Sequence, residues 1–336
     1  MYDKDLVESP DRNEYSMVLY RKGNTCVKKI ERLTGEDKTA IVKRIKKENI
    51  IPATLFSPAR RDPEGVREEQ IWKTLTALHC PNILPLYSSS YDESTAETIQ
   101  ETQYCDCNLQ EYLDQLTIPC DLSLAKQILA DIRKGLHAMH SLGIVHGDLK
   151  TENILIEDMT DTATLHCMIC DFGNSRYHTN GLVDRILGTP KCLPPETEFY
   201  IDKTTSPIHF FDMQSDIFTF GALAFTVLTQ EDYFKTSHPY NSDLTSHTSI
   251  TNGDPNCETP TQKKCFFNLT GKERAQKRYD EVYEILKAKD VPHDLAMFIK
   301  SCLHPESCYR VGVKKFYSHN VLPNPLSFTY VATKTN

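Results

Sequence analysis

Glycine is scarce in this chain, at 13 of 336 residues, and tryptophan occurs once. Long apolar runs are missing too: no stretch approaches the roughly 18 consecutive apolar residues of a membrane-spanning helix, and the opening MYDKDLVESP is too polar for a secretory leader. The expectation is no membrane association and an intracellular location, cytoplasmic or nuclear. A surplus of positive charge is absent, since 38 Lys and Arg stand against 46 Asp and Glu for a net charge of −8. That balance argues against nucleic acid as a partner, although residues 21–47 are locally basic. A second CxxC is also lacking. Of twelve cysteines, only Cys167 and Cys170 show that spacing, within LHCMICDFG, and a zinc knuckle needs two such pairs. In a strand those two residues point to opposite faces, so the cysteines read as buried free thiols.

With 39% hydrophobic and 25% charged residues, the chain has the composition of a folded domain with a sizeable core. At 336 residues it exceeds the usual single-core size, which favours one bilobal domain or two domains with a cleft. The first hundred residues alternate strand-like runs and turns: SMVLYRKGNTCVKKIERL, TAIVKRIKK, NILPLYSSSY and TAETIQETQYC. Among them, EGVREEQIWKTLTAL carries Ile71, Trp72, Leu75 and Leu78 at helical spacing.

After CDC the pattern becomes helical. Leu124, Ile128, Ile132, Leu136 and Met139 share one face, and Gly143 is placed to stop the helix. SDIFTFGALAFTVLTQ is apolar nearly all round, which predicts a helix at the centre of a large lobe. Residues 235–261 are rich in Ser, Thr, Asn, Pro and Asp without hydrophobic period and read as a long surface insertion. RYDEVYEILKAKD and PHDLAMFIKSCL then resume helical spacing.

Residues 144–156, IVHGDLKTENILI, set the apolar pair Ile144 and Val145 and the apolar triplet Ile154, Leu155 and Ile156 around His146, Asp148, Lys150, Glu152 and Asn153. A loop crowded with an acid, a base and an amide is built for chemistry more often than for packing, and the alternative is a charged surface turn. HGDLKTEN resembles the protein-kinase catalytic loop in all but its second residue, and DFG follows at Asp171, Phe172 and Gly173. The resemblance to eukaryotic protein kinases of the serine/threonine type covers about residues 15 to 318. HGDLK, CDFG and DIFTFG are also similar to the mitogen-activated-kinase-kinase-like branch of that family.

The resemblance implies an α+β, two-lobe fold, with a small β-rich N-lobe holding one main helix and a larger, mainly helical C-lobe. It implies a kinase domain over 15–318, divided into N-lobe 15–101, hinge 102–107 and C-lobe 108–318, with terminal extensions 1–14 and 319–336. ATP and Mg2+ are the implied cofactors, and a protein substrate is the implied partner; the insertion 235–261 offers a surface for another. Transfer of a terminal phosphoryl group needs an acceptor placed by a carboxylate, metal ions that neutralise phosphate charge, and a cation near the moving group. Asp148 suits the first role and Lys150 the last, while Asn153 and Asp171 supply hard oxygens for magnesium.

AIVKRI resembles the family's V-A-I-K strand, making Lys43 the cation for the inner phosphates, with Glu68 the helix acid chosen to pair with it. The resemblance puts Thr102 at the gatekeeper position, Gln103 and Cys105 at the adenine-bonding backbone, and His146 in structural contact beside Phe172. GTPKCLPPE resembles the end of an activation segment, with Thr189 in the serine/threonine-specific position, Glu196 paired to Arg310, and Asp216 bracing the catalytic loop.

Two departures matter. YRKGNTCV keeps only Gly23 ahead of Val27 where the family's nucleotide-covering loop has three glycines, and glycines let backbone amides approach phosphates. A pseudokinase scaffold therefore stands as the alternative to an active serine/threonine or dual-specificity kinase. Gly147 replaces the arginine that holds a phosphorylated activation segment in many kinases, and GLVDRIL offers Arg185 where a phosphosite usually sits. The expectation is activity without phosphate on that segment.

Overall fold

Runs rich in β-branched and aromatic residues, broken by turn-forming pairs, build the first sheet. The chain is described from a computed structural model, over residues 6–8, 14–22, 25–34, 37–47, 50–51, 60–61, 63–117, 120–157, 165–178, 182–183, 192, 194–198, 209–210, 212–234 and 271–323. The insertion 235–261 lies outside them. The sheet has the strand order β1-β2-β3-β4-β8-β7, where β1 is Leu6–Glu8, β2 Glu14–Lys22, β3 Thr25–Thr34, β4 Asp37–Lys47, β7 Leu86–Asp92 and β8 Glu97–Gln103. All its pairings are antiparallel. The two-residue strands β5 (Ile50–Ile51) and β6 (Arg60–Arg61) pair separately.

Helix α1 (Pro63–Ala77) starts on proline, whose missing N–H costs nothing in a first helical turn. Ile71, Trp72 and Leu75 are buried, whereas Leu78, just beyond the helix, is 39% exposed. Trp72 also donates its indole N–H to Leu84 O at 2.7 Å, so its burial leaves no polar atom unpaired.

The second lobe is mainly helical. β9 (Cys107–Asn108) leads into α2 (Leu109–Gln115), capped by a reciprocal Asn108 and Glu111 box. Helix α3 (Leu122–Ser141) buries Ile128, Ile132, Leu136 and Met139, and Gly143 follows it at φ 69°, a conformation that costs glycine little. Leu124 is only partly buried. β10 (Ile144–Val145), β11 (Ile154–Ile156), β12 (Cys167–Ile169) and β13 (Arg176–Tyr177) are short strands that carry the loops of interest.

After α4 (Pro195–Glu198), helix α5 (Met213–Thr229) runs through the core with nearly every side chain buried. Each buried leucine or phenylalanine there contributes about 1.5–3 kcal/mol. Gly221 permits this packing, because a Cβ there would lie 2.9 Å from Cys302 Cβ and Leu303 Cγ. Helices α6 (Gly271–Ala288), α7 (His293–Cys302) and α8 (Val313–Ser318) complete the lobe.

Arg133 on α3 is fully buried and donates to the carbonyls of Phe316, His319, Leu322 and Pro323 at 2.6–3.1 Å. That fork ties the end of the lobe to α3. All ten described cysteines are free thiols, but only Cys80, Cys167 and Cys302 are buried. The expectation of general burial was therefore too broad: hinge and loop positions keep several partly open.

Candidate active site

The loop after β10 is held from below. Asp216, in the first turn of α5, accepts from the backbone N–H of His146 at 2.7 Å and of Gly147 at 3.0 Å. His140 Nε2 lies 2.9 Å from the same carboxylate, and the Tyr317 hydroxyl 2.6 Å from His140 Nδ1. With the proton on Nε2 the ring donates to Asp216 and accepts from Tyr317, so three elements meet at one buried carboxylate. Burial alone would raise the Asp216 pKa, but these bonds bring it below the ordinary value. Asp216 thus braces the loop as expected, and Gly147 takes φ 86° within it.

Within the loop, Lys150 Nζ lies 3.2 Å from Asp148 Oδ2. Burial would lower the ammonium's pKa, but the Asp148 carboxylate outweighs it and the net direction is upward, keeping Lys150 charged. Asn153 Nδ2 donates to Asp148 O at 2.8 Å, so its amide oxygen is directed elsewhere. Asp148 and Asn153 are 8% and 6% exposed. The three residues form one hydrogen-bonded unit.

Asp171 follows β12 with φ 63° and ψ 80°, and its carboxylate accepts from Gly173 N at 3.4 Å. The side chain is exposed. Phe172 is fully buried, 5.6 Å from the Trp72 ring and 5.9 Å from His146. His146 Nε2 lies 3.1 Å from Cys170 O, which joins the loop to the Asp171 turn.

Glu68 on α1 is 2% exposed. Its carboxylate meets Arg44 Nη1 in a close ion pair and Lys46 Nζ at 3.1 Å. Burial would raise its pKa, but the two cations outweigh that and hold it at about 2. Burial would lower the Arg44 pKa, but Glu68 and then Asp171 outweigh that and push it upward.

The partner expected for Glu68 was Lys43, whose side chain lies outside the described residues; the cations that meet Glu68 are Arg44 and Lys46. Successive strand residues alternate faces, and the pairing register shows which described residues share a face with Arg44. Val27 on β3 is directly opposite Arg44, and Thr102 on β8 opposite Val42, whereas position 43 faces Lys28 and Glu101. Val27, Val42, Arg44 and Thr102 therefore share one face.

At the junction of the lobes, Thr102 is 3% exposed, and Gln103 Nε2 bonds the Glu157 carboxylate across to the second lobe. Burial pushes the Cys105 thiol up to about 12, so it is not a thiolate. Gly23, Arg185 and Thr189 lie outside the described residues. The expected Arg310 and Glu196 pair is present, Nη1 donating to Oε1 at 2.7 Å.

Sequence reasoning missed Arg44, Lys46 and Glu157. AIVKRI held no deciding signal for Arg44, because Lys43 is evenly spaced from Ile41 and Ile45 just as Arg44 is from Val42; for Glu157, far along the chain from Gln103, there was none either.

A sheet-rich lobe hinged to a helical one, with an acid, an amine and an amide on a braced loop tied to the turn that bears a second acid, defines a two-lobe phosphotransferase architecture. The protein-kinase-domain family model matches residues 23–322, and the chain belongs to that family. It is 31% identical over 132 residues to a probable serine/threonine-protein kinase, roco9, of Dictyostelium discoideum, covering 38% of this chain and 4% of that one. It is 27% identical over 161 residues to the serine/threonine-protein kinase/endoribonuclease ire-1 of Caenorhabditis elegans, covering 45% and 15%. With the human serine/threonine-protein kinase ULK1 the figures are 26% over 178 residues, 51% and 16%. The chain thus spans only a small part of the length of these relatives. Among the described residues no helix is long and apolar enough to cross a membrane.

Proposed function

We propose that the chain is an ATP- and Mg2+-dependent protein kinase that transfers the terminal phosphoryl group of ATP to serine or threonine hydroxyls of a protein substrate. The observation that carries this reading is the bonding of Asp148, Lys150 and Asn153 into one unit, braced on Asp216. A scaffold has no need to keep those groups in register. Asp148 orients the acceptor hydroxyl and takes its proton, while Lys150 steadies the transferred phosphate.

Magnesium takes a few carboxylate or carbonyl oxygens and completes its shell with phosphate oxygens and water. The amide oxygen of Asn153 and the exposed carboxylate of Asp171 fit that donor chemistry. When bound, the ion neutralises phosphate charge. Arg44, fixed by Glu68 on the face shared with Val27, takes the inner-phosphate role that the motif alone assigned to Lys43. The backbone of Gln103 and Cys105 serves adenine. Serine/threonine specificity follows the named activity of the relatives.

The test is phosphoryl transfer from Mg·ATP to a generic basic protein, comparing wild type with Asp148→Asn and Asp171→Asn. Loss of transfer in both variants is the expected result. Folded wild-type protein that shows no transfer and no thermal shift with Mg·ATP would instead establish the scaffold alternative.

A further inference from the structure

Helix α1 carries Glu64, Arg67 and Glu68 at positions i, i+3 and i+4, which places them on one face. Glu68 reaches back to the sheet, whereas Arg67 and Glu64 reach two adjacent residues at β13. Glu68 is held by Arg44 and Lys46 of β4. Arg67 Nε donates to Ser175 O at 3.2 Å, and Arg176 Nη1 donates to the same carbonyl at 2.9 Å. Arg176 Nη2 in turn lies 3.7 Å from the Glu64 carboxylate.

Two guanidinium groups, one from the helix and one from β13, therefore converge on the carbonyl of a single residue four positions after Asp171. Ser175 is itself fully buried, with its hydroxyl donating to His146 O at 2.9 Å. The turn between these points packs on the helix: the Phe172 ring is 5.6 Å from Trp72, and a Cβ at Gly173 would lie 3.7 Å from Glu68 Oε2.

We propose that Arg67 is a positioning residue: through the Ser175 carbonyl it fixes the turn bearing Asp171 against the helix bearing Glu68, with Glu64 and Arg176 as a second strut, and without any phosphate. The physics favours such an anchor. A carbonyl accepting from guanidinium groups makes charge-assisted bonds, stronger than neutral ones, and a main-chain acceptor is always present, whereas a phosphate must be added and is removable. Every contact in the set lies between residues 44 and 176. Gly147, where an arginine holds a phosphorylated segment in the resembling enzymes, brings no side chain. The proposal rests on the kinase reading in its kinetic consequence only.

The chain supplies its own reporter, since Trp72 is its single tryptophan and lies on α1 against Phe172. The experiment measures acrylamide quenching of Trp72 and steady-state kinetics with Mg·ATP, on full-length wild type, Arg67→Met, Arg67→Lys and Glu64→Gln. Arg67→Met is expected to raise the quenching constant at least twofold and to lower kcat at least tenfold. The KM for ATP changes less than threefold, because the hinge is untouched. Arg67→Lys, which keeps a donor for Ser175 O, recovers most of both signals, and Glu64→Gln falls between.

Treatment of the wild type with a protein phosphatase is expected to leave quenching and kcat unchanged. Wild-type quenching in Arg67→Met, or a phosphatase effect reversed by rephosphorylation, would overturn the proposal. Should Arg67→Met not fold, wild-type quenching in Glu64→Gln overturns it equally. A wild type inert toward ATP would sink the kinase reading alone, and Trp72 quenching would still decide this one.

Discussion

Replacing Glu68 by glutamine probes the joint between sheet and helix most directly. The carboxyl is 2% exposed and sits between Arg44 and Lys46. Its loss leaves two like charges facing each other, on side chains 19% and 32% exposed. Removing one partner of a fully buried pair costs about 3–5 kcal/mol; partial solvent access of both cations lowers this to about 2–3 kcal/mol. The pKa gives the same order, since a fall from 4.5 to about 2 corresponds to about 3 kcal/mol at about 1.4 kcal/mol per pH unit. At about 2 °C per kcal/mol for a chain of this size, calorimetry should record a Tm lower by about 4–6 °C. Arg44→Met should fall comparably, and the Glu68→Gln/Arg44→Met double variant by less than the sum, for a coupling of about 2 kcal/mol. Lys43→Met is the decisive comparison: its effect should simply add to that of Glu68→Gln. A coupling of Glu68 to position 43 larger than to position 44 would refute the strand-face reasoning.

Three further outcomes are expected. Acid should erase the Glu68 contribution in a defined window: a carboxylate depressed from 4.5 to about 2 stabilises fully above about pH 4.5 and loses its effect as pH falls toward 2. The Tm gap between wild type and Glu68→Gln should accordingly be flat from pH 7 to 5 and close below 4.5. Asp216→Ala orphans the N–H groups of His146 and Gly147 and the His140 ring at a site 1% exposed, so it should cost about 3–5 kcal/mol, read by denaturant unfolding. Arg133→Met strips a donor from four carbonyls between Phe316 and Pro323, at about 1–3 kcal/mol for each that stays buried and unpaired, and limited proteolysis should cut there several-fold faster.

Periodicity made the helices legible. The 3.6-residue pattern of Ile128, Ile132, Leu136 and Met139 and the all-round apolarity of α5 each come from burial, and burial is what such patterns encode. Gly143 was legible because few residues but glycine end a helix at positive φ without cost. The bonded unit of Asp148, Lys150 and Asn153 was legible as a cluster because its polar residues stand at short sequence spacing between apolar strands. Contacts between distant segments carried no such signal: nothing in the sequence announces that Gln103 meets Glu157, or that Arg133 gathers carbonyls beyond residue 315.

The cation opposite Glu68 lies between these cases. Matching AIVKRI by letters puts a lysine at the right neighbourhood but leaves a choice of face, and a pleat makes that choice binary. The pairing register decides it. A nucleotide-facing Val27 must share its face with whatever cation works beside it, and across an antiparallel pair directly opposed residues share a face; Val27 stands opposite Arg44. Assigning the role to position 43 would turn Val27 away, together with Val42 and Thr102. Retaining Val27 and Thr102, both expected at the site, on one side at the cost of one is the more economical reading. It makes arginine, a planar fork with a permanently held charge, the group that Glu68 positions.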